Sequence, residues 1–137
     1  MTQPACRMKN GFTLIELIIV LSIIGLLVGL GLPTYKSARV KAEEAVLKEN
    51  LFILRKLIDQ YAQDKGKYPA SLQALVQDSY LRAIPVDPVT HQSTTWVEVR
   101  ELPSPEDPMF NEIPGVIDVK SGSDKKSPID GSFYNTW

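Results

Sequence analysis

The stretch "KNGFTLIELIIVLSIIGLLVGLGLP", Lys9 to Pro33, holds a membrane-length apolar run. Between Lys9 and Lys36 its only charged side chain is one carboxylate, Glu16. Phe12 to Leu32 is 21 residues, and at ~1.5 Å rise per residue such a helix matches the ~30 Å hydrocarbon core of a bilayer. The alternative is a cleaved secretory signal, since Arg7 and Lys9 form a basic region ahead of the apolar stretch. Two features count against it. The run exceeds the ~7–15 apolar residues of such signals, and Gly31-Leu32-Pro33 is not followed by a small-x-small cleavage pattern. Basic residues stand at both ends, Arg7 and Lys9 before and Lys36, Arg39 and Lys41 after, so charge alone leaves the orientation open. An ionised group at the centre of a membrane helix costs ~2.5–3.5 kcal/mol on insertion scales, and less near the interface, where it snorkels. Glu16, one turn inside the start of the run, is therefore either an incidental snorkelling acid or a group with a task.

Composition bounds what the remainder does. Of the 137 residues, those outside the apolar segment suffice for one small domain of about 100. The lone Cys6 precedes the run, so no intramolecular disulfide forms and the downstream domain stands on packing or a bound ion. Fifteen basic side chains against sixteen acidic ones, scattered along the chain, supply no phosphate-binding stripe. Nucleic acid is not an expected partner.

"GFTLIELIIVLSIIGLL", Gly11 to Leu27, resembles the class III signal of type IV pilins and pseudopilins: a short basic leader ending in Gly, then Phe-Thr-Leu-x-Glu-Leu and a long apolar helix. The resemblance implies that a membrane prepilin peptidase cuts after Gly11 and methylates the new N-terminus, Phe12. Residues 1–11 would be the leader, 12–33 a transmembrane and filament-core helix, and 34–137 a periplasmic globular domain carrying the amphipathic half of the same helix. Glycine at the cut lets an extended backbone approach a protease closely. Cleavage leaves the apolar run attached as an anchor in the inner membrane. The resemblance also gives Glu16 a task, to pair with the Phe12 amine of a neighbouring subunit or of its own chain as subunits stack. Removing one partner of such a buried pair costs ~3–5 kcal/mol.

Beyond Pro33 the pattern stays helical. Leu47, Leu51, Leu54, Ile58 and Tyr61 fall at steps of four, three, four and three, one stripe of an amphipathic helix. Glu43, Glu44, Lys48, Arg55, Lys56 and Gln60 are assigned to the polar face, and Gly66 and Pro69 to the stop. If Pro33 only kinks the path, one helix of about 80 Å runs from Phe12 to Asp64 at ~1.5 Å per residue. Gly25, Gly29, Gly31 and Pro33 serve either helix packing in the bilayer or local unwinding. "YPASLQALVQDSYLRAIPVDP", Tyr68 to Pro88, reads as a turn, a short helix from about Ser71 to Asp78 and an extended loop. It resembles the segment after the long helix of major pseudopilins in type II secretion systems. "TTWVEVRE" alternates, with Thr95, Val97 and Val99 on one face, and "GVIDVKS" gives a strand from Val116 to Lys120. Phe133-Tyr134 is a candidate third strand, and "LPSPEDPMFNEIPG" is too proline-rich for regular structure. The fold expected is α+β and pilin-like, a long helix laid across a small antiparallel sheet.

The tail "SGSDKKSPIDGSFYNTW" is the one place where metal chemistry has a foothold. Many secretion pseudopilins hold calcium in the equivalent loop through hard oxygen ligands, and Ser121, Asp124 and Asp130 are the corresponding positions. The bland alternative is a turn-rich loop with Asp and Ser capping backbone amides. No other cofactor is indicated. His91 is the only histidine, which gives no support to a transition-metal or Ser-His site. Asp87 and Glu98, the carboxylates assigned to its neighbourhood, are expected on loop and strand surface. The resemblance as a whole implies a structural protein and not an enzyme. It would be a homopolymer through its N-terminal helix, the pseudopilus subunit of a type II-like secretion system, working with prepilin peptidase, an inner-membrane assembly platform and minor pseudopilins. A type IV pilin subunit, and a minor pilin acting as a binding or DNA-uptake module, are the alternatives.

Overall fold

A computed structural model describes residues 11–102 and 114–137. Residues 1–10, with Cys6 and most of the expected leader, and most of the proline-rich segment after Leu102 lie outside the described residues. Among the described residues the regular structure is four elements and one 3-10 turn, Tyr134–Thr136: helix α1 (Leu14–Lys65), helix α2 (Leu72–Gln77), and strands β1 (Val97–Arg100) and β2 (Val116–Lys120). The chain divides into two units, Met1–Ala38 and Arg39–Trp137.

Helix α1 is 52 residues long and remains helical through Gly25, Gly29, Gly31 and Pro33. The proline removes one N–H from the hydrogen-bond ladder without ending the helix. In the first unit every large apolar side chain of Leu14 to Leu32 is exposed, which is how an apolar helix looks when its solvent is lipid or other helices.

In the second unit α1 becomes one-sided. Leu47, Leu51, Leu54, Ile58 and Tyr61 are all buried, each contributing ~1.5–3 kcal/mol on burial. They meet Leu72 and Leu75 of α2, Val116 and Val119 of β2, Trp96 and Tyr134 in a single core. The helix stops where Gly66 takes a left-handed φ of 71°, with its N–H bonded to the Ala62 carbonyl at 2.9 Å, a glycine-terminated end.

The sheet is two antiparallel strands, paired Val97↔Lys120 to Arg100↔Val116 with a bulge between Val99 and Arg100. One sequence expectation is completed here and another changes. The inward residue of the first strand segment is Trp96, 8% exposed, while Val97 is 49% exposed. The alternation is real but its phase is set by Trp96, whose indole N–H bonds the Pro85 carbonyl at 2.8 Å, and by Glu98. The proposed third strand is also absent: Phe133 makes only an isolated bridge to Lys126. The chain then tightens into the 3-10 turn, which turns the ring of Tyr134 into the core.

Candidate assembly helix and the polar anchors of its domain

The candidate assembly site is built at the first turn of α1. Gly11, Phe12 and Thr13 precede the helix in non-helical conformation. Thr13 is its cap: Thr13 Oγ1 accepts from the Glu16 N–H at 3.3 Å, and the Thr13 carbonyl accepts from Leu17 N–H at 3.2 Å. Thr13-Leu14-Ile15-Glu16 thus has the spacing of a capping box, in which an acid three residues on faces the helix start. Nothing lies within 4 Å of where a Cβ would stand on Gly11, and Phe12 is 81% exposed. Gly11 and Phe12 therefore stand exposed just before the helix, and Glu16 is exposed in its first turn. Ser22, the other polar side chain of the run, donates to the Ile18 carbonyl at 2.7 Å and so satisfies itself without a partner. Among the described residues α1 is the one helix long and apolar enough to cross a membrane.

The tail positions named for calcium do not converge on a common partner. Ser121 is buried and donates to Asp87 Oδ2. Asp124 is exposed. Asp130 accepts from the Ser132 N–H at 2.9 Å and from Ser132 Oγ at 2.7 Å, and these bonds hold its carboxyl below its ordinary pKa. Among the described residues no group of three or more His, Cys, Asp or Glu could hold a metal ion.

Three acids placed on the surface by sequence are structural instead. Asp87 is fully buried; its Oδ1 accepts from Val89 N–H at 2.8 Å and Thr90 N–H at 3.3 Å, while its backbone N–H bonds the Gln92 carbonyl. It closes the 87–92 turn, in which His91 stands exposed at φ 58°. Glu98 Oε1 accepts from the Leu72 N–H at 2.8 Å, satisfying the start of α2, where Ser71 makes no side-chain cap. Glu44 is 7% exposed and accepts from Ser127 Oγ at 2.6 Å and Tyr134 Oη at 2.9 Å. Burial beside that carboxylate pushes the Tyr134 hydroxyl up to about 12. Arg55, also expected on the polar face, is half-buried: it donates to Asp118 at 2.6 Å and to the carbonyls of Val119 and Trp137 at 3.1 and 2.8 Å. The tail is thus fastened to α1 through Glu44 and Arg55.

Comparison with known proteins supplies the context for this arrangement. The prokaryotic N-terminal methylation motif matches residues 6–32. The type II secretion system core protein G of Pseudomonas aeruginosa is 34% identical over 98 residues, 60% of this chain and 69% of the relative. That of Klebsiella michiganensis is 31% identical over 96 residues, 58% of this chain and 68% of the relative. The chain belongs to the type II secretion system core protein G family. Its methylation motif covers the cap at Thr13, Glu16 and the exposed apolar half of α1, so this pseudopilin's family signature coincides with the turn described above. A fimbrial protein, EcpC of Eikenella corrodens, is 38% identical over 88 residues, 58% of this chain and 56% of the relative. No solved structure matches.

Proposed function

We propose that this pseudopilin is the structural subunit of a pseudopilus that drives type II-like protein secretion, made competent by cleavage after Gly11 and methylation of the Phe12 amine. Residues 12–33 anchor the chain in the inner membrane and later form the filament core; residues 34–137 face the periplasm. The observation that carries the reading is the pairing of an unburied apolar helix with a lone acid at its start. Every large apolar side chain from Leu14 to Leu32 is exposed, and Glu16 lies four residues after Phe12.

The chemistry follows from that placement. Cleavage turns the Phe12 nitrogen from a neutral amide into an ammonium. In a bilayer or a helix bundle that charge needs a counter-ion, and Glu16 is the only ionisable side chain of the run. As one helix slides along its neighbours, the pair forms at one axial offset and is broken at others, so it sets register as well as neutrality. The subunit partners are other copies of the chain, the prepilin peptidase, an inner-membrane assembly platform and minor pseudopilins.

Processing is tested by intact-mass spectrometry of the chain extracted from membranes. The expected mature species begins at Phe12 and carries one methyl group, and Gly11→Val leaves the precursor uncut. A mature N-terminus near Pro33 contradicts the reading, because it is the product of an ordinary signal peptidase.

A further inference from the structure

Two flanks of α1 in the Arg39–Trp137 unit carry surface that its own core does not use. On one flank Lys48, Phe52 and Arg55, at steps of four and three, join Asp130 and Trp137 around a groove of about 380 Å³ floored by Leu51. Phe52 is 63% exposed. Lys48 Nζ stands 4.4 Å from the centroid of the Trp137 ring, and Arg55 holds the Trp137 carbonyl. The groove has aromatic walls and a cationic rim; its one carboxylate, Asp130, is occupied by Ser132. On the other flank Val46, Glu49 and Ile53, at steps of three and four, are all exposed. Val86, 55% exposed, is held beside them by Asn50 Nδ2, which donates to its carbonyl at 3.2 Å. This is an apolar ridge with a carboxylate at its centre, about 100° around the helix from the groove, the turn per residue of an α-helix.

We propose that the two surfaces are the halves of one contact between successive copies of this chain, the Val46–Glu49–Ile53 ridge of one copy seated in the Lys48–Phe52–Trp137 groove of the next. The proposal rests on the reading of the chain as a filament subunit. Two different patches of one chain that match each other generate an open helical assembly and not a closed dimer, the symmetry a filament needs. The charges agree, with Glu49 on the ridge and Lys48 on the groove, and such complementarity fixes register and partner. An exposed phenylalanine beside a tryptophan in a groove has the composition of an interface anchor. Both rows also belong to α1, the helix whose N-terminal half carries assembly, so the contact extends the same interface into the globular unit.

The test uses the full chain in cells with its secretion apparatus. In a Cys6→Ser background, Val46→Cys and Phe52→Cys are combined, and sheared filaments are oxidised and separated without reductant. A ladder of multimers is expected, because each copy supplies both halves. Separately, Lys48→Glu and Glu49→Lys are each expected to cut filament yield roughly tenfold, the effect of only ~1.4 kcal/mol per interface, with cleavage at Gly11 unchanged. The double variant Lys48→Glu/Glu49→Lys is expected to restore it. Filaments that form without a ladder, and at full yield with either charge reversed, overturn the contact and leave the filament reading standing. Cross-linking to a protein of a different mass overturns it in favour of another occupant. A lack of filaments from the unaltered chain overturns the filament reading and the contact with it.

Discussion

Glu44 shows how a single position is misread by residue type and correctly read by spacing. It lies three residues before Leu47 and seven before Leu51, in phase with the buried stripe, yet a glutamate among Glu43, Lys48 and Lys56 reads as polar face. What buries it is not visible locally: Ser127 and Tyr134 arrive from the far end of the chain with two hydroxyl donors. Asp87 had a local signal in Asp-Pro-Val-Thr, the pattern of a side chain closing its own turn, but its contact to Ser121 spans 34 positions and has no sequence signature. Removing the Glu44 carboxylate leaves two buried hydroxyls without their acceptor, at about 1–3 kcal/mol for such a group. Glu44→Ala is therefore expected to destabilise a Thr34–Trp137 fragment by about 2–3 kcal/mol, read by urea melts, whereas Lys56→Ala on the outer face changes little. Equal effects of the two would remove Glu44 from the core. Tyr134 adds a pH dependence. Its folded pKa is raised from 10.0 to about 12, so its contribution is complete below pH 10 and is lost as the pH climbs through 12. Tyr80, raised to about 12 by its hydrogen bond to Asp64, acts in the same direction. Tyr134→Phe is expected to flatten the alkaline limb of the stability curve; an unchanged limb would assign it elsewhere.

At the scale of elements, the helices were legible because their information is periodic and local. The buried stripe from Leu47 to Tyr61, the short helix after Ser71 and the stop at Gly66 all follow from spacing and turn chemistry. Strand β2 was legible in its bounds, and β1 in its existence. Which face of β1 points inward was left open, because in a two-stranded sheet that face is chosen by distant partners, here Pro85 for Trp96 and Leu72 for Glu98. The third strand failed for the same reason: Phe133 can pair with Lys126, but the hydroxyl of Tyr134 is drawn to Glu44 and the chain leaves the extended conformation. At two close approaches of the chain to itself it uses glycine. A Cβ on Gly122 would overlap the Thr95 carbonyl, and one on Gly115 would overlap Tyr68. Backbone cannot yield there as the end of a flexible side chain could, so Gly122→Ala is expected to cost about 1–3 kcal/mol, measured by the midpoint of thermal unfolding of the same fragment. A variant as stable as the parent would mean that the loop after β2 is free to shift away from Thr95.

The whole molecule joins a helix made for an apolar solvent to a domain that satisfies its own polar groups. Among the described residues of the Arg39–Trp137 unit the buried side-chain polar atoms have hydrogen-bond partners, and Arg55 and Glu44 close the tail onto α1. Among the described residues of the Met1–Ala38 unit the large apolar side chains from Leu14 to Leu32 are exposed, and Glu16 stands in the first turn of α1. The candidate site was a local reading, because Gly11, Phe12, Thr13 and Glu16 fall within six consecutive positions, whereas the anchors of the domain are pairs separated by up to 90 positions. The central claim, that Glu16 neutralises the Phe12 amine during subunit docking, separates from incidental snorkelling in one variant. Glu16→Leu removes the acid and lengthens an already adequate apolar span, so insertion and cleavage at Gly11 are expected to proceed. The measurement is the yield of sheared filaments set beside the fraction of processed chain in the membrane. The pairing account predicts processed Glu16→Leu chain that forms no filaments; normal filaments from fully processed Glu16→Leu chain would contradict it.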